Sequence, residues 1–297
     1  MKIQAKHYEL LKIIQGRDTT VSNVKYSSDG QKIVFVSFDR IIRIWDIVSE
    51  KQIQIFRGHS SAVHVAEFSS NGNIIVSCSH DKTIRLWDVK LGKEIMKLEG
   101  HSNFVLDVNF SSDSKYVVSC SLDKTIRIWD TYSGKEVQKL IGHSDGILNA
   151  QFSSDDRMIV SSDGETILLW DVQSGKIIKE LKSDFNFVIR AKFSPDNRFV
   201  AACSFDKIIR IWDVQSGKEI QQFKGHTAVV NEIQFFPNGQ TIVSCSDDKT
   251  IRLWDIHSGS EIQCLKENLR SVKSVDISPD GSSIVSCSDD KTIRIWG

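Results

Sequence analysis

Residues 105–140 read VLDVNFSSDSKYVVSCSLDKTIRIWDTYSGKEVQKL. Val105 to Phe110 alternates, Ser111-Ser112-Asp113-Ser114 has the composition of a turn, and Tyr116 to Ser121 is extended. Leu122-Asp123-Lys124 turns again, Thr125 to Trp129 resumes the extended pattern, and Ser133-Gly134 leads into Glu136 to Leu140. The stretch predicts four short strands joined by tight polar turns. A sheet of that size cannot bury both faces alone, so it needs copies of itself to stack upon. The copies are present: Trp45, Trp87, Trp129, Trp170, Trp212, Trp254 and Trp296 are separated by 42, 42, 41, 42, 42 and 42 residues, one unit written seven times.

The rest of the composition agrees with a β-rich chain. Ala occurs eight times and Met three times in 297 residues, which starves long helices of their best formers, while Ile, Val and Ser recur throughout. Closed β architectures run to this length as one domain, and residues 1–297 are read as one. Lys plus Arg and Asp plus Glu both total 38, so the formal net charge is zero, without the basic excess that phosphate binding leaves. That disfavours nucleic acid and anionic membranes as partners. Met1-Lys2-Ile3-Gln4 opens no apolar leader, and no stretch approaches the roughly 18 apolar residues of a membrane helix, so an intracellular protein of the cytoplasm or nucleus is expected. Cys78, Cys120, Cys203, Cys245 and Cys287 each stand nine residues before a Trp, which marks a repeated core position and predicts reduced, buried thiols rather than disulfides.

The repeat resembles the WD-repeat family. Trp-Asp stands at Trp45-Asp46, Trp87-Asp88, Trp129-Asp130, Trp170-Asp171, Trp212-Asp213 and Trp254-Asp255, and Gly-His at Gly58-His59, Gly100-His101, Gly142-His143 and Gly225-His226. The resemblance spans the whole chain and implies an all-β fold, a seven-bladed propeller of four-stranded antiparallel blades around a channel. The last unit stops at Trp296-Gly297, after its third strand. Tyr8 to Ile14 precedes Gly16-Arg17 as Ile95 to Leu98 precedes Gly100-His101, so residues 8–14 are expected to close the ring as the outer strand of the blade containing Trp296.

Ser, His and Asp recur together, and a catalytic triad is one reading of them. The set returns with Trp as His59, Ser77, Asp81, Trp87, as His101, Ser119, Asp123, Trp129, and as His226, Ser244, Asp248, Trp254. Catalysis needs one site, not three copies. The resemblance implies instead a hydrogen-bonded structural tetrad within each blade, and it also selects the Ser ten residues before Trp over the one eight before. Arg17, Ser183-Asp184 and Glu267-Asn268 replace Gly-His or its His, so those units lack the full set. Unit four is one residue short, which moves its Asp to seven residues before Trp170 and predicts a reshaped turn. Arg at 43, 85, 127, 210, 252 and 294 is read as paired with nearby Asp. No nucleotide, zinc or redox motif is present, and neither a metal nor a cofactor is expected; His59 and His64 have no cluster to complete a first shell.

Positions that differ between copies yet face one surface are where a repeat protein encodes a partner. The resemblance places the strand starts and the residue before each turn Asp around one end of the channel. Phe104, Leu106, Leu148, Phe187 and Ile189 are apolar strand-start residues of units three to five; Phe38, His80, Leu122, Phe205, Asp247 and Asp289 precede the turn Asp. An aromatic arc thus faces an acidic one. The expectation is a non-catalytic scaffold or adaptor, monomeric by itself. It binds a peptide or protein segment through Phe104, Leu106, Leu122, Leu148, Phe187, Ile189 and Phe205, with Asp247 and Asp289 favouring a basic residue. The competing readings are an enzyme using the cavity, with Asp247, Asp289, His64, His80 and Lys273 as its nearest cluster, and a nucleic-acid-binding propeller.

Overall fold

A computed structural model describes residues 6–16, 19–182, 184, 187–266 and 268–297. Arg17, Ser183 and Glu267, three of the residues that break the Gly-His pattern, lie outside the described residues. The N-terminal strand is β1 (Leu10–Gln15), and blade 1 follows as β2 (Val21–Tyr26), β3 (Lys32–Ser37), β4 (Ile42–Asp46) and β5 (Lys51–Phe56). Blade 2 is β6 (Val63–Phe68), β7 (Ile74–Ser79), β8 (Thr83–Asp88) and β9 (Lys93–Glu99); blade 3 is β10 (Val105–Phe110), β11 (Tyr116–Ser121), β12 (Thr125–Asp130) and β13 (Glu136–Ile141). Blade 4 comprises β14 (Asn149–Phe152), β15 (Met158–Ser162), β16 (Ile167–Asp171) and β17 (Ile177–Leu181), and blade 5 comprises β18 (Val188–Phe193), β19 (Phe199–Ser204), β20 (Ile208–Asp213) and β21 (Glu219–Lys224). Blade 6 has β22 (Val230–Phe235), β23 (Thr241–Ser246), β24 (Ile251–Asp255) and β25 (Glu261–Leu265); blade 7 has β26 (Val272–Ile277), β27 (Ile284–Ser288) and β28 (Thr292–Trp296).

The ring closes through β1, which pairs antiparallel with β28 so that blade 7 has the order β1-β28-β27-β26. Leu10 lies opposite Trp296, Ile14 opposite Ile293 and Gln15 opposite Thr292. Glu9 and Gly297 exchange backbone hydrogen bonds of 3.1 and 3.0 Å just beyond the ladder. Ile14 is buried among Val21, Val24, Val285 and Ile293, so the closing strand also packs into the seam between blades 7 and 1. Tyr8 sits in the cluster between blades 6 and 7, its hydroxyl donating to the Gly281 carbonyl at 2.7 Å.

The hydrophobic core lies between blades rather than within one. Val76, Cys78, Ile84 and Leu98 of blade 2 pack against Val108, Val117 and Trp129 of blade 3, and equivalent clusters repeat around the ring. Second strands are therefore buried on both faces and read as apolar runs, as in Ile74–Ser79, whereas outer strands alternate exposed and covered residues, as in Glu136–Ile141. All six Cys are unpaired, and the five in the repeated position are buried. No helix among the described residues is long and apolar enough to cross a membrane.

Candidate functional site

In blade 3 the Trp129 indole N–H donates to Ser119 Oγ at 2.8 Å, Ser119 lies 2.8 Å from His101 Nε2, and His101 Nδ1 lies 2.9 Å from Asp123. With a carboxylate on Nδ1, that nitrogen carries the proton and Nε2 accepts from the serine hydroxyl. Blade 2 repeats the chain through Trp87, Ser77, His59 and Asp81, with bonds of 2.8 Å throughout. Blade 6 repeats it through Trp254, Ser244, His226 and Asp248 at 2.8, 2.7 and 2.8 Å. Each Asp also accepts from the turn: Asp81 takes the Thr83 amide at 3.0 Å and its hydroxyl at 2.6 Å. Burial alone would raise the Asp81, Asp123 and Asp248 carboxyls; the hydrogen bonds from His and Thr outweigh it and hold them well below the usual carboxylate range. The three serines are fully buried and their oxygens are already occupied by an indole, so no substrate reaches them.

Unit four completes a fourth set. Its shortened turn draws Asp163 inward, so that Asp163 lies 3.1 Å from His143 Nδ1, while His143 Nε2 lies 2.6 Å from Ser161 and Trp170 donates to Ser161 at 2.8 Å. Gly164, at φ +97°, supplies the backbone that this tighter turn demands. The blades without Gly-His hold the turn differently. Arg43, Arg210 and Arg294 fold back onto Asp39, Asp206 and Asp290 at 2.5, 2.7 and 2.9 Å. Where His already occupies the Asp, Arg85, Arg127 and Arg252 reach instead to Glu94, Glu136 and Glu261 on the outer strand. Pairing with Asp, expected at every copy, therefore holds for blades 1, 5 and 7; the other three arginines are captured by glutamate because their Asp is taken.

These contacts define a repeated scaffold. The chain matches the WD domain, G-beta repeat family over residues 8–46, 50–88, 92–130, 134–171, 175–213, 217–255 and 259–297. It belongs to the WD-repeat family. WD-repeat propellers generally act as protein-interaction scaffolds and are typically non-catalytic. No curated protein matches the chain significantly.

In blades 2, 3, 5, 6 and 7 one backbone bond brings the variable positions of this WD-repeat propeller together on a single face. Leu122 N–H donates to the Phe104 carbonyl at 3.0 Å, Phe205 to Phe187 at 3.0 Å, Asp247 to Val229 at 2.9 Å and Asp289 to Ser271 at 2.9 Å, tying the residue before each turn Asp to the start of its own blade. Phe104, Phe187 and Phe205 are 39, 42 and 46% exposed, values that leave ring faces available to solvent. His80 stacks on Phe104 with centroids 4.4 Å apart, and Phe187 meets Phe205 edge to face at 5.0 Å. Phe187 adopts φ +58°, a costly backbone for a bulky residue, and its ring lies over Gly164, where a Cβ would come within 2.8 Å of it.

Leu122, Leu148 and Ile189 are partly covered, and Ile189 packs against the core between blades 5 and 6. Leu106 is only 9% exposed and offers no surface, contrary to expectation. It occupies the unpaired position of a β-bulge between Val105 and Asp107, the same position that Ile189 and Lys273 hold, less covered, in blades 5 and 7. On the acidic side Lys273 Nζ lies 2.9 Å from Asp247 and 3.2 Å from Asp289. Two carboxylates share one ammonium, which leaves one net negative charge there rather than two.

The opposite mouth of the channel holds residues not anticipated from the sequence. Lys25, Glu67, Asn109, Gln151, Lys192, Gln234 and Asp276 come one from each blade's first strand and together line a cavity of about 350 Å³. Their signal was legible: each stands 20 residues before its Trp, 19 in the short unit, and all seven are polar.

Proposed function

We propose that the chain is a non-catalytic scaffold that holds a peptide or protein segment on the face bearing Phe104, Leu122, Leu148, Phe187, Ile189 and Phe205. The observation carrying this reading is the exposure of three phenylalanines grouped on one face, whereas Trp87, Trp129 and Phe223 are almost fully covered and the exposed Tyr116 and Tyr132 belong to the turns and outer side of blade 3. Phe187 supports it further, since its left-handed backbone is costly for a bulky residue and holds a ring that, despite its contacts with Phe205 and Gly164, stays 42% exposed. Aromatic anchors beside a charged rim match the composition of binding surfaces. The single uncompensated charge of the Asp247–Lys273–Asp289 group favours a basic residue of the bound segment at that end of the face.

Affinity capture from a lysate of the source organism, with the native chain and a Phe104→Asp, Phe187→Asp variant run side by side, tests the proposal. The expected result is a defined set of proteins retained by the native chain and lost from the folded variant, since truncating central aromatic anchors weakens binding by about 2 kcal/mol or more each. Identical captures from both chains would overturn it.

A further inference from the structure

The ring of seven polar residues at the far mouth of the channel lies on the side away from the phenylalanine face and is not explained by it. Positions that only close a propeller need not differ between blades, and these do. Two of the seven are paired with each other: Lys25 Nζ lies 3.3 Å from Asp276, and burial, which works against the Lys25 ammonium, is outweighed by Asp276, Glu232, Glu67 and Asp107. Glu67, Gln151 and Lys192 make no hydrogen bond within the ring among the described residues. Among the described residues Glu67 receives one hydrogen bond, from the Phe110 backbone N–H at 3.4 Å, with Lys25 and Lys192 acting on it only through charge, and Gln151 Oε1 is buried without a donor. Lys192, 5% exposed, is ion-paired with Glu232 at 3.7 Å, too far for a hydrogen bond, so its ammonium protons have no hydrogen-bond acceptor among the described residues. Glu67 on blade 2 and Gln151 on blade 4 therefore have acceptor capacity left for a donor, and Lys192 on blade 5, paired with Glu232 only as an ion, has N–H groups left for an acceptor.

We propose that this cavity binds a small zwitterion of the free α-amino acid class, its ammonium held by Glu67 and Gln151 and its carboxylate by Lys192. A simple cation fits less well, because Lys25 and Lys192 repel it, and a simple anion meets Glu67 and Asp276. A volume of about 350 Å³ lies at the small end of ligand pockets and excludes anything as large as a folded segment. Burial pushes the Glu67 carboxyl up to about 7, against the pull of Lys25 and Lys192, with Asp107 adding to the rise. A bound ammonium favours the ionised form, so binding at neutral pH releases protons and tightens as pH rises from about 6 to 8.

The test uses the full chain and the twenty free L-amino acids, screened by saturation-transfer NMR and quantified by calorimetry. For the best binder, its decarboxylated amine and its deaminated acid serve as controls. The expected result is a dissociation constant below about 1 mM, tenfold or greater weakening by Glu67→Gln and by Lys192→Met, and no change in Phe187→Asp, which alters only the opposite face. Proton release in buffers of differing ionisation enthalpy accompanies binding to the native chain and disappears in Glu67→Gln. The proposal is overturned if no amino acid binds at 5 mM, if Glu67→Gln binds as tightly as the native chain, or if the amine lacking a carboxylate binds as well as its parent.

Discussion

Blades 3 and 7 share strand order and turn backbone, with Lys124 and Lys291 both left-handed at φ +68° and +70°, yet different partners hold their turn aspartates. In blade 3 Asp123 accepts from His101, which connects through Ser119 to Trp129, so the entry loop, second strand and third strand are joined by one chain of bonds. In blade 7 Arg294 pairs with Asp290 four residues away, Trp296 donates to Ser286 at 3.0 Å, and the buried amide of Asn268 has no partner among the described residues. Blade 1 goes further in the same direction. Phe35 occupies the place of the tetrad serine, and the Trp45 indole N–H has no partner among the described residues. Both blades that flank the closing seam thus lack a full tetrad, as does blade 5 with Ala202 in the serine's place, and closure rests on β1 and on packing around Ile14.

The first way to break this comparison is at the seam. Removing residues 1–15 strips a ladder and the buried Ile14 and Tyr8 side chains, a loss of about 4–6 kcal/mol. The melting temperature should fall by about 10 °C or more in calorimetry; an unchanged transition would show that blade 7 does not need its outer strand. Next comes the tetrad. Ser119→Ala leaves Trp129 N–H and His101 Nε2 unpaired in a buried site and should cost about 2–4 kcal/mol in urea unfolding, whereas Ser286→Ala orphans one indole and should cost about 1–2. Equal losses would mean that the histidine adds nothing to the network.

Acid titration sharpens the same contrast. The Asp123 carboxyl ionises far below its unfolded value of about 3.9, so its contribution is complete above that pH and is lost as pH falls through the folded value. Melting temperatures of the native chain and Asp123→Asn should therefore differ most at neutral pH and draw together progressively as pH falls below about 4. Parallel curves would contradict the assignment. The smallest effect is expected on the outside of the seam: Lys12 pairs with Glu50, whose side chain is largely exposed, and Lys12→Ala should change stability by no more than about 0.5 kcal/mol.

Much of this was legible in the amino-acid order because repetition amplifies weak signals. A single alternating run is ambiguous, but Trp returning every 42 residues pins strand and turn in every copy, and a missing fourth strand at one end points to Tyr8–Ile14 at the other. The tetrads were legible for the same reason. What escaped notice departs from the repeat or depends on competition between neighbours. Leu106 is covered while Ile189 and Lys273, at the same bulged position of other blades, are less so, Asp163 joins a fourth tetrad through a turn one residue shorter, and the arginines look alike in sequence while their partners depend on whether a histidine has already taken the aspartate. Lys273 shows the limit of reading charge by residue type: it was grouped with Asp247 and Asp289 in the sequence, but that it pairs with both and half neutralises the acidic arc needed the structure.

The central claim is a division of labour in which Ser, His and Asp carry the scaffold and the variable face carries the partner. It is tested most directly by measuring melting temperature and retention of a captured partner in the same two variants. The account predicts that Phe104→Asp, Phe187→Asp loses the partner and melts within about 2 °C of the native chain, while Ser119→Ala melts several degrees lower and, at a temperature where it is folded, retains the partner. The reverse pattern, a tetrad variant that is stable but blind to the partner, would contradict it.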